Sequence, residues 1–307
     1  MTAIFHGLTA FPLTPLDRDG AVDTAALAIV LDRLVAARVD AIGLLGSTGL
    51  YAYLDRRQRG RAVAAAVEAV AGRVPLIVGV GALRTDWACD LARDAARAGA
   101  DGLLLAPMSY LPLTADEVAA HVRAVALSTR LPVCIYDNPT TTRFAFDVAL
   151  IGDLARSAGI AAIKLPLPAD GDYAGGLARL RRVVPAEFAI GYSGDWGAAS
   201  GLSAGADGWF SVVAGLLPQP ASRLTRAARA GRHAEVAVLE AAFAPLWTLF
   251  RAHGSLRLMY AVADRLGLAV GDPPLPLRRV DAALLPALDA ALDHLARGAA
   301  MADRPRP

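Results

Sequence analysis

Eight short apolar runs recur along the first 230 residues, each followed by a longer amphipathic segment, and this alternation leaves few folds open. The runs cover 7–11, 41–45, 76–80, 102–106, 133–136, 161–164, 188–192 and 208–212. They are continuously apolar, as strands covered on both faces are. Between them apolar residues fall at i, i+3, i+4 and i+7, which predicts helices over 25–37, 57–71, 86–98, 115–128 and 147–158. Several end at a glycine or run into a proline, as at Gly72…Pro75, Gly99, Leu131-Pro132 and Gly159. Eight such units match an α/β protein of the (β/α)8 TIM-barrel class in number and size, with the barrel over 1–230. A doubly wound sheet is the rival, but its glycine-rich GxGxxG turn after the first strand is absent. Residues 231–300 are helical only, with amphipathic runs at 234–251, 255–266 and 280–297. They read as a C-terminal extension of the same domain, packed on the barrel or at a subunit contact, followed by a disordered tail over 301–307.

Composition narrows the function classes. Of 307 residues 55% are hydrophobic and 20% charged, which excludes a mainly disordered chain. The longest uncharged stretches, 41–54 and 208–222, contain Gly, Ser, Thr or Pro and fall short of a membrane-spanning helix. The opening Met1-Thr2-Ala3-Ile4-Phe5-His6 has no basic segment leading into an apolar one, so no signal peptide is expected and the protein reads as cytoplasmic. Cys89 and Cys134 lie in apolar surroundings and do not form a disulfide framework. No two of the five histidines have ligand spacing, so neither a metal nor another cofactor is expected. The arginine cluster from Arg56 to Arg61 opens a helix and reads as its solvated face; no stacking platform or groove-reading motif accompanies it, which argues against nucleic acid.

The chain contains one lysine among its 31 basic residues. Lys164 ends the apolar run Gly159-Ile160-Ala161-Ala162-Ile163, in a composition that elsewhere uses arginine. Arginine stays protonated in proteins, whereas a desolvated lysine can become a nucleophilic amine. A neutral amine at a buried strand end is what Schiff-base chemistry on a carbonyl requires. The plainer alternative is a strand-end lysine reaching to water.

In a barrel, chemistry sits at the carboxyl ends of the strands. Strand two ends in Gly46-Ser47-Thr48-Gly49, whose hydroxyls and backbone N–H groups can cradle a carboxylate. Strand four runs into Pro107-Met108-Ser109-Tyr110, strand five into Tyr136-Asp137-Asn138-Pro139, strand six into Lys164 and strand seven into Ser193-Gly194-Asp195. Each alone is an ordinary βα turn or barrel-rim residue. Together they bring an amine, a phenol and an anion-binding turn to one face. The turn would hold the carboxylate of a 2-oxo acid, Lys164 would attack the ketone, and Tyr136 would move protons. A phosphate-binding barrel is disfavoured, because Asp195 stands near the phosphate position and would repel an anion.

The order and spacing of these motifs resemble the dihydrodipicolinate synthase and N-acetylneuraminate lyase family of class I aldolases. The likeness runs from Gly7…Thr14-Pro15…Asp19-Gly20…Asp23 through the strand-two turn and Pro75-Leu76-Ile77-Val78-Gly79-Val80-Gly81. It continues through Tyr136-Asp137-Asn138-Pro139, Ile163-Lys164 and Gly194-Asp195. The resemblance implies a (β/α)8 barrel with three C-terminal helices, assembled as a homotetramer or homodimer. It implies imine formation at Lys164, proton relay by Tyr136, carboxylate-binding hydroxyls at Ser47 and Thr48 on the turn from Gly46 to Gly49, and a strand-eight backbone contact near Phe210.

The departures from the family concern the substrate. Leu50 and Tyr51 follow the turn where the family has glutamate, and Asp137 replaces an asparagine. Thr141 stands where the synthases carry a carboxylate-binding arginine, with Arg143 two residues on. Tyr110 corresponds to a tyrosine that one subunit lends to its neighbour, and Leu165-Pro166-Leu167-Pro168 makes the distal pocket apolar. The expectation is a cofactor-free aldolase or dehydratase acting on pyruvate or a sugar-derived 2-oxo acid. A dihydrodipicolinate-forming synthase is the alternative within the class. A silent 2-oxo acid binding or regulatory protein is the alternative outside it, and a turnover assay separates the two.

Overall fold

A computed structural model of the protein, describing residues 2–302, closes eight parallel strands into one barrel in chain order. The strands are β1 (Gly7–Ala10), β2 (Ala41–Leu44), β3 (Leu76–Gly79), β4 (Gly102–Leu105), β5 (Val133–Tyr136), β6 (Ile160–Leu165), β7 (Ala189–Ser193) and β8 (Gly208–Ser211). Pairing of β1 with β8, Gly7 opposite Gly208, closes the ring and excludes the doubly wound sheet. The helices outside the strands are α1 (Thr24–Ala36), α2 (Arg56–Val70), α3 (Thr85–Ala98), α4 (Ala115–Leu127), the single turn α5 (Pro139–Thr142) and α6 (Val148–Leu154). They continue as α7 (Tyr173–Arg181), α8 (Ala198–Ser203), α9 (Pro218–Arg229), α10 (His233–His253), α11 (Ser255–Arg265) and α12 (Leu285–Ala302).

Local chemistry sets these boundaries. The side chains of Asp23, Asp55 and Asp147 accept the N–H groups of Ala26, Gln58 and Leu150, starting α1, α2 and α6, and Thr114 with Glu117 forms a capping box on α4. At the amino-terminal rim an acid repeats: Asp40, Asp101 and Asp207, each just before an even strand, accept from Leu8, Leu76 and Ile190 of the strand before. This rim holds the barrel together and leaves the opposite rim for chemistry.

Three boundaries differ from expectation. The run 147–158 is helical only over Val148–Leu154, since the chain must turn back through Gly159 (φ +83°) into β6. The run beginning at 280 enters its α-helix at Leu285, after a 3₁₀ turn (Ala282–Leu284) in which Asp281 accepts from Ala283. Met301 and Ala302 continue α12 and are not part of a disordered tail; 303–307 lie outside the described residues. Among the described residues no helix is long and apolar enough to cross a membrane.

Candidate active site

Lys164 ends on the carboxyl side of β6, directly beside Tyr136 of β5 and Gly191 of β7 in the strand register. It is only 4% exposed. Its Nζ lies 3.9 Å from the centre of the Tyr136 ring, 4.2 Å from that of Phe11 and 5.8 Å from that of Phe210. Burial lowers the ammonium pKa to about 7. Negative charge on Cys134 or Asp195 would oppose this shift. Burial, however, drives the Cys134 thiol far above its ordinary value, so it is neutral at pH 7 and offers no charge. Near neutrality a large fraction of Lys164 is therefore a free amine.

The Tyr136 hydroxyl oxygen accepts from Asn138 Nδ2 at 3.0 Å and is also hydrogen-bonded to Ser47. Burial pushes the phenol above its ordinary range, and these two hydrogen bonds pull it back. Asn138 is held in this orientation because its carbonyl oxygen accepts from Thr140 Oγ1 at 2.9 Å. With Asn138 donating, the phenolic proton is free to point at Ser47 or at a reacting atom. Asn138 was legible only as part of a motif; its role depends on a side-chain direction that sequence does not carry.

The strand-two turn is strained and clamped. Leu45 and Leu50, on either side of Gly46-Ser47-Thr48-Gly49, have φ of +55° and +63°, a left-handed conformation that leucine rarely adopts. Across the barrel wall Gly79 leaves room for this: a Cβ there would sit 1.8 Å from the Leu45 carbonyl oxygen. Buried Thr14 donates to the Gly49 carbonyl at 2.7 Å, which gives the Thr14-Pro15 motif a physical task. Thr48 is buried in the turn and Ser47 is exposed at its tip, where it reaches Tyr136. Gly46 borders a small cavity shared by Tyr51 and Tyr136.

The arginine cluster is not uniformly solvated. Arg59 is buried, and its guanidinium donates to the carbonyls of Tyr51, Leu54 and Gly81 while lying over the Tyr51 ring. Arg56 is exposed and pairs with Asp90 and Asp94 of α3. Helical periodicity alone could not distinguish the two. Asp195 also differs from expectation. It does not face an incoming anion as a repelling charge, because it is buried and accepts from Trp209 Nε1 (3.0 Å), Val212 N (3.1 Å) and Val213 N (2.8 Å). It occupies the backbone donors after β8 that a phosphate would need.

The residues expected in the distal pocket are not drawn into the cluster. Thr141 is exposed and its hydroxyl donates to the Asn138 carbonyl. Arg143 is exposed, in a left-handed conformation (φ +57°) that ends α5. Tyr110 is 84% exposed on the loop after β4. Asp137 is buried beside Tyr136, and burial raises its carboxyl to about 6. The buried Phe210 ring faces the amine, so strand eight contributes an aromatic wall.

Known proteins share this arrangement of sequence and fold. The sequence matches the Dihydrodipicolinate synthetase family over residues 4–295. It is 33% identical over 291 residues to a 4-hydroxy-tetrahydrodipicolinate synthase of Hyphomonas neptunium, covering 94% of this chain and 98% of that protein. The fold superposes with a TM-score of 0.94 on a crystal structure of dihydrodipicolinate synthase from Agrobacterium tumefaciens, at 53% identity, covering 96% of this chain and 99% of that one. A 4-hydroxy-tetrahydrodipicolinate synthase from Methylacidiphilum fumariolicum gives 0.90 at 26% identity, with 97% and 98% covered.

Proposed function

This chain belongs to the dihydrodipicolinate synthetase family and is a lyase of the class I aldolase type; from that premise we propose that it works through a Schiff base between Lys164 and pyruvate or a sugar-derived 2-oxo acid. The strand-two turn takes the substrate carboxylate through Ser47, Thr48 and the backbone at Gly46 and Gly49. The lone pair of Lys164 Nζ attacks the C2 carbonyl carbon, and the oxygen takes a proton to give a carbinolamine. Tyr136 delivers a second proton as that hydroxyl leaves as water and the protonated imine forms. The imine nitrogen then accepts the electron pair released at C3, either from a C–H bond on the way to dehydration or from a broken carbon–carbon bond. The same steps in reverse make a bond. No metal or organic cofactor is required by this sequence of steps.

The observation that carries this proposal is a buried amine with its proton affinity lowered to about 7, set against a phenol whose proton is free. Borohydride reduction with pyruvate should leave an adduct on the Lys164 peptide, with the N-terminal amine as the only amine control required. Lys164→Arg should abolish it, and Tyr136→Phe should slow turnover by about a hundredfold while still permitting slow imine formation. No adduct with any of a panel of 2-oxo acids would overturn the proposal. A silent binding protein would trap the acid but never turn it over.

The names of the relatives favour a second reading, 4-hydroxy-tetrahydrodipicolinate synthase. That reaction brings a second carboxylate into the distal pocket. Thr141 stands in place of a bidentate arginine with its hydroxyl already donated to the Asn138 carbonyl, and an unpaired carboxylate in a partly desolvated pocket costs several kcal/mol. Condensation with aspartate semialdehyde should therefore be slow. Robust turnover that is lost in Arg143→Ala would make this a synthase after all. We take α10 to α12 as an extension of the barrel domain at or near subunit contacts, the protein as a cytoplasmic homotetramer or homodimer, and Tyr110 as a residue lent to a neighbouring site.

A further inference from the structure

After Tyr136, the ring nearest to Lys164 Nζ belongs to Phe11, just beyond the end of β1, with its centre 4.2 Å away. In a closed barrel of eight strands β1 and β5 are diametrically opposed, so Phe11 and Tyr136 approach the amine from opposite walls. Among the described residues no hydrogen bond or ion pair holds Nζ. A lysine side chain has four rotatable bonds, and attack on a carbonyl demands that its nitrogen wait within about 3.5 Å of the reacting carbon. Packing against the rings is the restraint that remains.

The place of the Phe11 ring is built into two neighbouring elements. A Cβ at Gly43 of β2 would come within 2.3 Å of the ring, and one at Gly46 of the turn within 2.5 Å. Any other residue at either position would force the ring out. On its other flank the Phe210 ring stands 6.3 Å away, tilted by 54°. The backbone is fixed as well, with Phe11 N donating to the Ser211 carbonyl at 2.9 Å. Phe11 is 2% exposed, so the ring is seated and does not sample solvent.

We propose that Phe11 is a positioning residue for the Lys164 amine: its ring, seated in the notch left by Gly43 and Gly46, holds Nζ against Tyr136 and keeps water away from that side. The proposal rests on imine formation at Lys164 for its functional meaning, but its geometry does not. The titratable groups around the amine are Tyr136 and Cys134 from β5 and Asp195 after β7; β1 and β8 present only the rings of Phe11 and Phe210. Replacing Phe11 therefore changes hydration and position without removing a charge. A ring face attracts an ammonium weakly, while the water it displaces would stabilise that ammonium more, so opening the notch favours the protonated form.

Two measurements test this on the full-length protein. Competitive acetylation with acetic anhydride, read on the peptide that carries the only lysine, gives the titration midpoint of Lys164 without any substrate. Borohydride trapping with pyruvate gives the rate of imine formation. In Phe11→Ala the midpoint should rise by about one pH unit and trapping at neutral pH should slow about tenfold. Phe11→Leu keeps water out but lacks the flat face, so its midpoint should stay near that of the wild type while trapping slows severalfold. Circular dichroism establishes which variants fold. A folded Phe11→Ala with wild-type midpoint and trapping rate overturns the proposal. If that variant does not fold, wild-type trapping by Phe11→Leu overturns it and a severalfold loss supports it. A wild-type protein that traps no 2-oxo acid counts against the imine reading alone, because the acetylation midpoints still decide the role of Phe11.

Discussion

A lysine buried at the end of β6 opposes folding whenever it carries its proton. The unfolded chain holds that proton up to the ordinary lysine value of 10.5, whereas the folded chain releases it near 7. Between those values the unfolded state binds more protons, so this residue makes stability rise with pH across the window and imposes its full cost below 7. Lys164→Met, which keeps the length and removes the charge, should raise stability at pH 7 by roughly 3–5 kcal/mol. The gain should shrink towards zero as the pH approaches 10.5. Thermal melts of both proteins at several pH values check this. A variant no more stable than the wild type at neutral pH would show that the amine is well solvated, and the Schiff-base proposal would lose its physical basis. Destabilisation at a functional residue is the usual trade between stability and activity.

Among the elements, the β7–β8 corner shows how a buried charge can be structural. Asp195 gathers the indole N–H of Trp209 and the backbone N–H groups of Val212 and Val213, fixing where the chain leaves β8. Burial raises its carboxyl above the ordinary range, and the donors partly offset that cost. Asp195→Ala would leave the buried Trp209 and Val213 N–H groups and the partly buried Val212 N–H without an acceptor, and a buried donor left unsatisfied costs about 1–3 kcal/mol. The urea midpoint should therefore fall by the equivalent of roughly 2–4 kcal/mol, allowing for water entering the space. A midpoint unchanged from the wild type would mean that the corner is held by packing alone. The strand-two turn works by the same logic one strand beyond β1 in the ring, where Thr14 holds the Gly49 carbonyl from β1's exit loop.

For the whole molecule, large apolar side chains stand exposed around the exits of β3 and β4. Leu83 and Trp87 are each 52% exposed, and Tyr110 and Leu111 lie on the neighbouring β4 exit at 84% and 68%. Contiguous apolar patches on soluble proteins mark contacts. Light scattering at micromolar concentration should give a mass of at least two chains, with little dependence on salt because the patch is apolar. A clean monomer would contradict this and would leave Tyr110 without a neighbouring site to serve.

Sequence alone determined the repeating unit and hence the barrel, because a strand buried on both faces must be continuously apolar and a covering helix must show one apolar stripe. It also singled out Lys164 and Tyr136, since a lone lysine in an arginine-rich chain and a phenol at a neighbouring strand end are visible without coordinates. Only the tertiary structure decided which side chains meet. Phe11 reaching Lys164, Thr14 reaching Gly49, Asp195 collecting donors from beyond β8 and Arg59 turning inward to three carbonyls are all of this kind. The strand–helix period is written locally, residue by residue, whereas these contacts depend on side-chain directions set only when neighbouring elements pack, and Phe11 faces Lys164 across a barrel that β1 closes on β8.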